Sequence, residues 1–462
     1  MDNPQPVNPY LLGNYAPVLD EIDVELKVTG EIPAGLAGAL YRNGPNPQFV
    51  PPGDYHWFGG DGMIHGFFVE DGKARYRNRW VRTNKWRREN AAGRALFGTF
   101  GNPMTTDPSV LGEDAGVANT NIVWHASRLM ALEEGHMPTQ LDPASLETRG
   151  YAERYRGNVT AHPKIDPETG EMVWFAYSAG ETPLNATVSY GVTDAQGEVV
   201  RRDDFEAPYC SMVHDFLVTR RHVLFPILPL TGSLDRAMRG GPPFAWEPEK
   251  GAFVGVMARG AGVETIRWFE TRACYVFHPM NAWEEGSKIF ADVMEYPAAP
   301  LFPLADGTRT QNASARLVRW IFDLADNSNV VKREPLDDTA GEFPRFDERH
   351  AGLAYRHGWF AANSGRTGDL KFDAIAHIDL VSGRRTIHEL PQGDATGEPV
   401  FVPRGAGSGE GDGWILAVIY RGGSHTSDLA VFDASDIAAG PIACAHTPRR
   451  VPFGFHGNWR GA

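Results

Sequence analysis

Residues 158–171 read NVTAHPKIDPETGE, and their reading sets the architecture. The proline after His162 biases that histidine away from helical geometry and towards an extended backbone. Asp166-Pro-Glu-Thr-Gly170 then reads as a tight turn, and MVWFAYS (172–178) resumes as a strand. His162 is therefore expected at the end of a strand, where a rigid sheet can fix an imidazole. Three more histidines occupy similar apolar, strand-like settings: His214 in YCSMVHDFLV, His278 in CYVFHPMNAW and His456 in VPFGFHGNWR.

Outward from this stretch the pattern stays β. GMIHGFFVEDGKARYRNRWVRT (62–83) reads as a hairpin turning at Asp71-Gly72. Comparable units begin at Arg128, Tyr190, Arg319, Ala374 and Trp414. Short strands with a turn about every ten residues, sustained along the chain, indicate an all-β propeller rather than a sandwich. No exact repeat is visible, and seven blades in one domain spanning 1–462 are expected, with residues 1–35 as an irregular, proline-rich N-terminal arm. Helical signals are confined to 83–98 and to GSLDRAMRGG (232–241), where Ser233 reads as an N-cap and Gly240 as a stop.

The 462 residues are 42% hydrophobic and 22% charged, as in globular proteins, and no apolar run reaches the ~20 residues of a membrane span. A net charge of -14 argues against nucleic-acid partners and gives no support for docking on anionic membranes. Cys210, Cys274 and Cys444 lack disulfide-framework or zinc-finger spacing, and the N-terminus lacks the pattern of a signal peptide. A cytoplasmic protein is expected; the oligomeric state is not legible.

A propeller can direct one side chain per blade towards its axis, so His162, His214, His278 and His456 are candidate ligands of one metal ion. Neutral imidazoles suit Fe, Zn, Cu or Ni: an octahedral ion would keep two positions open, whereas a tetrahedral zinc would be closed and structural. Glu134, Glu342 and Glu398 lie in turn-like or apolar contexts. They read either as turn residues or as acceptors for the ligands' second ring N–H groups.

At ten ordered places the sequence resembles the carotenoid cleavage oxygenase family: YRNGPNPQF (41–49), HWFGGDGMIHGFF (56–68), LDPASLETRG (141–150), TAHPKIDPETGE (160–171), MVHDFLVT (212–219), GVMARG (255–260), VFHPMNAWE (276–284), EFPRFDER (342–349), EPVFVPR (398–404) and FHGNW (455–459). The resemblance implies a seven-bladed propeller with a helical cap over an Fe(II) held by His162, His214, His278 and His456. Glu134, Glu342 and Glu398 would stand behind those ligands. The implied reaction is O2-dependent cleavage of a carbon–carbon double bond into two carbonyl products, without an organic cofactor or external reductant.

ETRG (147–150), RWFE (267–270) and WEPEKG (246–251) look most like the branch acting on small aromatic alkenes, with apocarotenoids as the alternative. Phenol-cleaving members carry a Tyr and a Lys where this chain has Phe100 and Glu133, so recognition of a phenolate is not expected here. Phe58, Phe100, Trp268 and Phe277 are candidate pocket walls, together with Glu133, and residues 232–245 a candidate tunnel mouth. Two other classes remain at this stage. A propeller glycosidase would need a marked carboxylate pair, and a non-enzymatic interaction scaffold would show stronger repeats.

Overall fold

The computed structural model describes residues 8–51, 53, 55–98, 105–310, 313–366 and 371–462. Phe100 lies outside them. The chain is nearly all β, in antiparallel sheets with a propeller-like pattern. Each four-stranded sheet follows the chain strand by strand, and its first strand forms one edge.

By its internal contacts the chain forms two compact units. The first comprises the described residues of Met1–Gly157 together with Val418–Val431 and Ile442–Ala462. It contains the four-stranded sheet of Asn121–His125, Arg128–Leu132, Thr139–Leu141 and Thr148–Tyr151. The hairpin read at 62–83 forms as Gly62–Glu70 and Lys73–Trp80, and both turn residues, Asp71 (φ 50°) and Gly72 (φ 71°), have the positive φ of a type I′ turn. The C-terminal strand Gly457–Gly461 pairs with Gly38–Pro45, which places His456 directly before an anchored strand. Tyr41, Ile64, Val81, Ile122, Leu129 and Leu146 form the core here.

The second unit, Asn158–Ala417 with Phe432–Pro441, contains four further four-stranded sheets, beginning with Lys164–Ile165, Leu217–Val218, Tyr275–Glu285 and Gly341–Phe346. Burial follows position within a sheet. Met172–Tyr177, an inner strand, is buried almost throughout, whereas the edge strand Val199–Glu206 alternates between half-buried and exposed residues. Val173, Phe175, Tyr190, Phe216, Phe225 and Ile227 fill the space between two of these sheets.

The blade count departs from expectation. Among the described residues there are five separate four-stranded sheets rather than seven, and most other strands join one ten-stranded sheet. The cause is Asp23–Gly30, inside the stretch expected to be an irregular arm. Residues 23–26 pair with 74–77, while residues 27–30 pair with 443–446, so one strand stitches two would-be blades together. Its alternation, Val24-Glu25-Leu26-Lys27-Val28, carries a strand signal that the surrounding prolines obscure.

Both helical segments form, as Asn84–Ala92 and the single turn Leu234–Met238. Thr83 caps the first by accepting from the Trp86 N–H, and Ser233 caps the second from the Arg236 N–H. Among the described residues no helix is long and apolar enough to cross a membrane.

Candidate metal centre

The backbone around each histidine explains why rings distant in sequence are held fixed. His162 lies two residues before Lys164–Ile165, and its N–H donates to Thr160 Oγ1 at 3.0 Å. His214 lies three residues before Leu217–Val218. His278 sits inside Tyr275–Glu285, where the register with the next strand slips between Val276 and Pro279 and again between Pro279 and Asn281. Such bulges re-aim a side chain out of the regular alternation.

Within the second unit the three rings converge. His214 Nε2 stands 3.1 Å from both His162 Nε2 and His278 Nε2. Nitrogens at right-angled corners around an ion about 2.1 Å away would be about 3.0 Å apart, so the spacing fits a shared cation. Ring nitrogens of His162, His214, His278 and His456 all fall within 4.8 Å of one another, and all four residues are buried. This buried four-histidine group could hold a metal ion, and an all-imidazole donor set suits iron, as it also suits zinc, copper or nickel.

Behind His278 stands Glu342, with 4% of its surface exposed. Its Oε2 lies 2.5 Å from His278 Nδ1 and also accepts the Phe343 N–H at 2.6 Å. With Nδ1–H donated to the carboxylate, the Nε2 lone pair is left for an ion. Burial pushes the Glu342 carboxyl well above the usual range against the pull of the Phe343 N–H and Tyr296 hydroxyl, and the nearby Asp215 and Glu398 carboxylates reinforce the rise. Glu342 reaches the ring because its own strand bulges between Glu342 and Arg345, with Phe343 at φ 54°. Left-handed backbone costs a non-glycine residue roughly 1–2 kcal/mol. Here it turns the Phe343 ring onto His278, stacked at 5.2 Å between centroids.

The other expected residues fall as follows. Glu398 is buried and ion-paired to Arg345 Nη1 at 3.1 Å. Glu134 is half-buried in the first unit, after the strand Arg128–Leu132. Phe277 meets His214 edge-on, with centroids 4.9 Å apart. Phe58 packs on Phe455, the neighbour of His456, at 5.6 Å. Trp268 is not brought to the histidines; it packs beside Phe205 in the core between two sheets. The Glu133 carboxylate is taken up by the Val117 and Ala118 N–H groups and by the His136 ring.

Three neighbours of the centre escaped the sequence reading. Asp215 is buried, lies 3.7 Å from His162 Nδ1 and is ion-paired to Lys164 at 2.7 Å. A carboxylate adjacent to a candidate ligand, His214-Asp215, was its signal. Phe343 and the buried Tyr296 beside Glu342 carried no local signal, since both depend on pairing across strands.

These features are those of an all-β protein with a buried four-histidine group that could hold a metal ion, and comparison with known proteins gives its family. The chain belongs to the carotenoid cleavage oxygenase family: the family model described as retinal pigment epithelial membrane protein matches residues 15–461. It is 38% identical to isoeugenol monooxygenase of Pseudomonas nitroreducens, over 98% of each chain. It is also 38% identical to lignostilbene-α,β-dioxygenase isozyme III of Sphingomonas paucimobilis, over 98% of this chain and 97% of the relative. The crystal structure of Pseudomonas brassicacearum lignostilbene dioxygenase superposes with a TM-score of 0.95 at 33% identity, covering 99% of each chain.

Proposed function

We propose that this protein is an Fe(II) oxygenase that cleaves the carbon–carbon double bond of a small aromatic alkene, of the isoeugenol, 4-vinylguaiacol or stilbene type. The observation that carries the reading is the buried four-histidine group backed by Glu342, in a chain matching isoeugenol and lignostilbene oxygenases along its length. His162, His214, His278 and His456 would hold the ion. When bound, Fe(II) supplies the site at which O2 is activated, and both oxygen atoms end in the two carbonyl products.

The chain's own groups do the rest. Glu342 fixes the tautomer and angle of His278, Asp215 stands behind His162, and Glu398 is held in place by Arg345. Glu134 is assigned to the same supporting role. Phe277, Phe343 and Phe58 offer apolar ring surface beside the histidines, suited to an alkene with few polar handles. The Leu234–Met238 helix is the proposed cap. Its flanking hairpin is bridged at Thr231 to Ser211, three residues from His214. Glu133 is already engaged, so a phenol at this position would be bound un-ionised or not at all. The three cysteines, unpaired and buried, accord with a reducing, cytoplasmic location.

Incubation with isoeugenol, 4-vinylguaiacol, resveratrol and an apocarotenal, with products identified by mass, tests the substrate class. Aromatic aldehydes from the small alkenes are expected, with poor turnover of resveratrol. Preferential cleavage of the apocarotenal would move the assignment to the apocarotenoid branch.

A further inference from the structure

Glu133 occupies the position where phenol-cleaving relatives were expected to touch substrate, yet here it turns away to its own backbone. It is buried, with 9% of its surface exposed, and both oxygens are used: Oε2 accepts the consecutive N–H groups of Val117 and Ala118, and Oε1 meets His136 Nδ1. Consecutive N–H groups pointing the same way form a small anion-binding concavity. This one is made by Ala118, a non-glycine residue at φ 47°.

That turn supports the backbone of His456 from both sides. Two residues on, the Thr120 carbonyl accepts the His456 N–H at 3.1 Å. On the other side the Asn43 N–H donates to the His456 carbonyl at 2.8 Å, and the Asn43 side-chain amide donates to the carbonyls of Ala118 (2.9 Å) and Asn121 (2.8 Å). Gly62 leaves room for the turn, because a Cβ there would stand 2.4 Å from the Ala118 oxygen. Between these points Asn119 Nδ2 ties the segment to the carbonyls of Phe58 and Gly60, each at 2.7 Å. All these groups belong to the first unit.

We infer that Glu133 is a positioning residue for His456, acting through the backbone of residues 117–120 and the amide of Asn43, rather than a substrate contact. This rests on the assignment of His456 as a ligand. Removing the carboxylate leaves the N–H groups of half-buried Val117 and buried Ala118 without their acceptor in a left-handed turn, so both supports of His456 loosen together. His162, His214 and His278 keep their own supports in the second unit.

The test is a double-mutant cycle on the full chain loaded with Fe(II), read as the rate at which iron is lost to a ferrous chelator, alongside KM for isoeugenol. Glu133→Ala is expected to speed iron loss about tenfold, the scale of an outer-partner loss, with KM little changed. In the His456→Ala background it should add less than about twofold, because its route to the metal is gone. Combined with Glu342→Gln, which acts on His278, the two effects should multiply. If Glu133→Ala fails to fold, Glu133→Asp, whose side chain is one methylene too short to reach the two N–H groups, takes its place in the same cycle. A raised KM with wild-type iron retention would make Glu133 a substrate contact, and equal multiplication in both backgrounds would make its role general stability; either overturns the inference. Wild-type iron retention in His456→Ala itself would instead remove the ligand assignment on which it stands.

Discussion

His278→Ala is expected to lose bound iron and alkene cleavage together while the sheets remain folded. His278 is held from three directions. Its Nε2 faces His214 Nε2 at 3.1 Å, its Nδ1 meets Glu342, and Phe343 covers one face. The substitution removes one ligand and also leaves the Glu342 carboxyl buried without its imidazole, a loss of about 1–3 kcal/mol on desolvation grounds. The two effects act on the same site, so the fall in activity should exceed the roughly 10–100-fold typical of outer partners. Iron per chain, far-UV circular dichroism and isoeugenol turnover together check it. A folded, iron-free His278→Ala protein with wild-type turnover would remove the histidines from the chemistry.

Glu342→Gln should give the next largest effect. An amide oxygen can still accept the Phe343 N–H and the His278 Nδ1–H, so the bulge and the fold are preserved. What is lost is the carboxyl group that braces the Nδ1 side of His278, replaced by an amide of different hydrogen-bonding character. Iron retention or kcat should fall roughly 10–100-fold, with a smaller change in KM, because no substrate contact is removed. Unchanged iron loss and unchanged kcat in a folded variant would return Glu342 to a structural role at its bulge.

Much of this site was legible because its signals are local. A histidine before a proline, an Asp-Gly turn and Ser or Thr before a helical run each declare their backbone within a few residues, and Asp71, Thr83 and Ser233 behave accordingly. The four histidines were recognisable from their apolar, strand-like contexts. What stayed hidden depends on partners far along the chain. Asp23–Gly30 divides its pairing between residues 74–77 and 443–446, and no local pattern announces that a strand will be shared. Phe343 stacks on His278 where its strand bulges against its neighbour, a pairing no local pattern announces. Glu133 illustrates the converse. The family resemblance implied a substrate contact at its position, but the turn at Ala118, with its positive φ, offers backbone N–H groups that take up its carboxylate. Trp268, an aromatic residue in a familiar motif, serves the core between sheets instead.

The most direct measurement is iron dependence of double-bond cleavage by the purified protein. Iron would be quantified per chain, removed with a chelator, and restored, with isoeugenol cleavage followed at each stage by mass. About one Fe per chain is expected, cleavage to two carbonyl products should disappear with the metal, and Fe(II) alone should restore it without an organic cofactor or reductant. Cleavage that persists at full rate in the iron-free protein would contradict a four-histidine iron centre as the seat of the reaction.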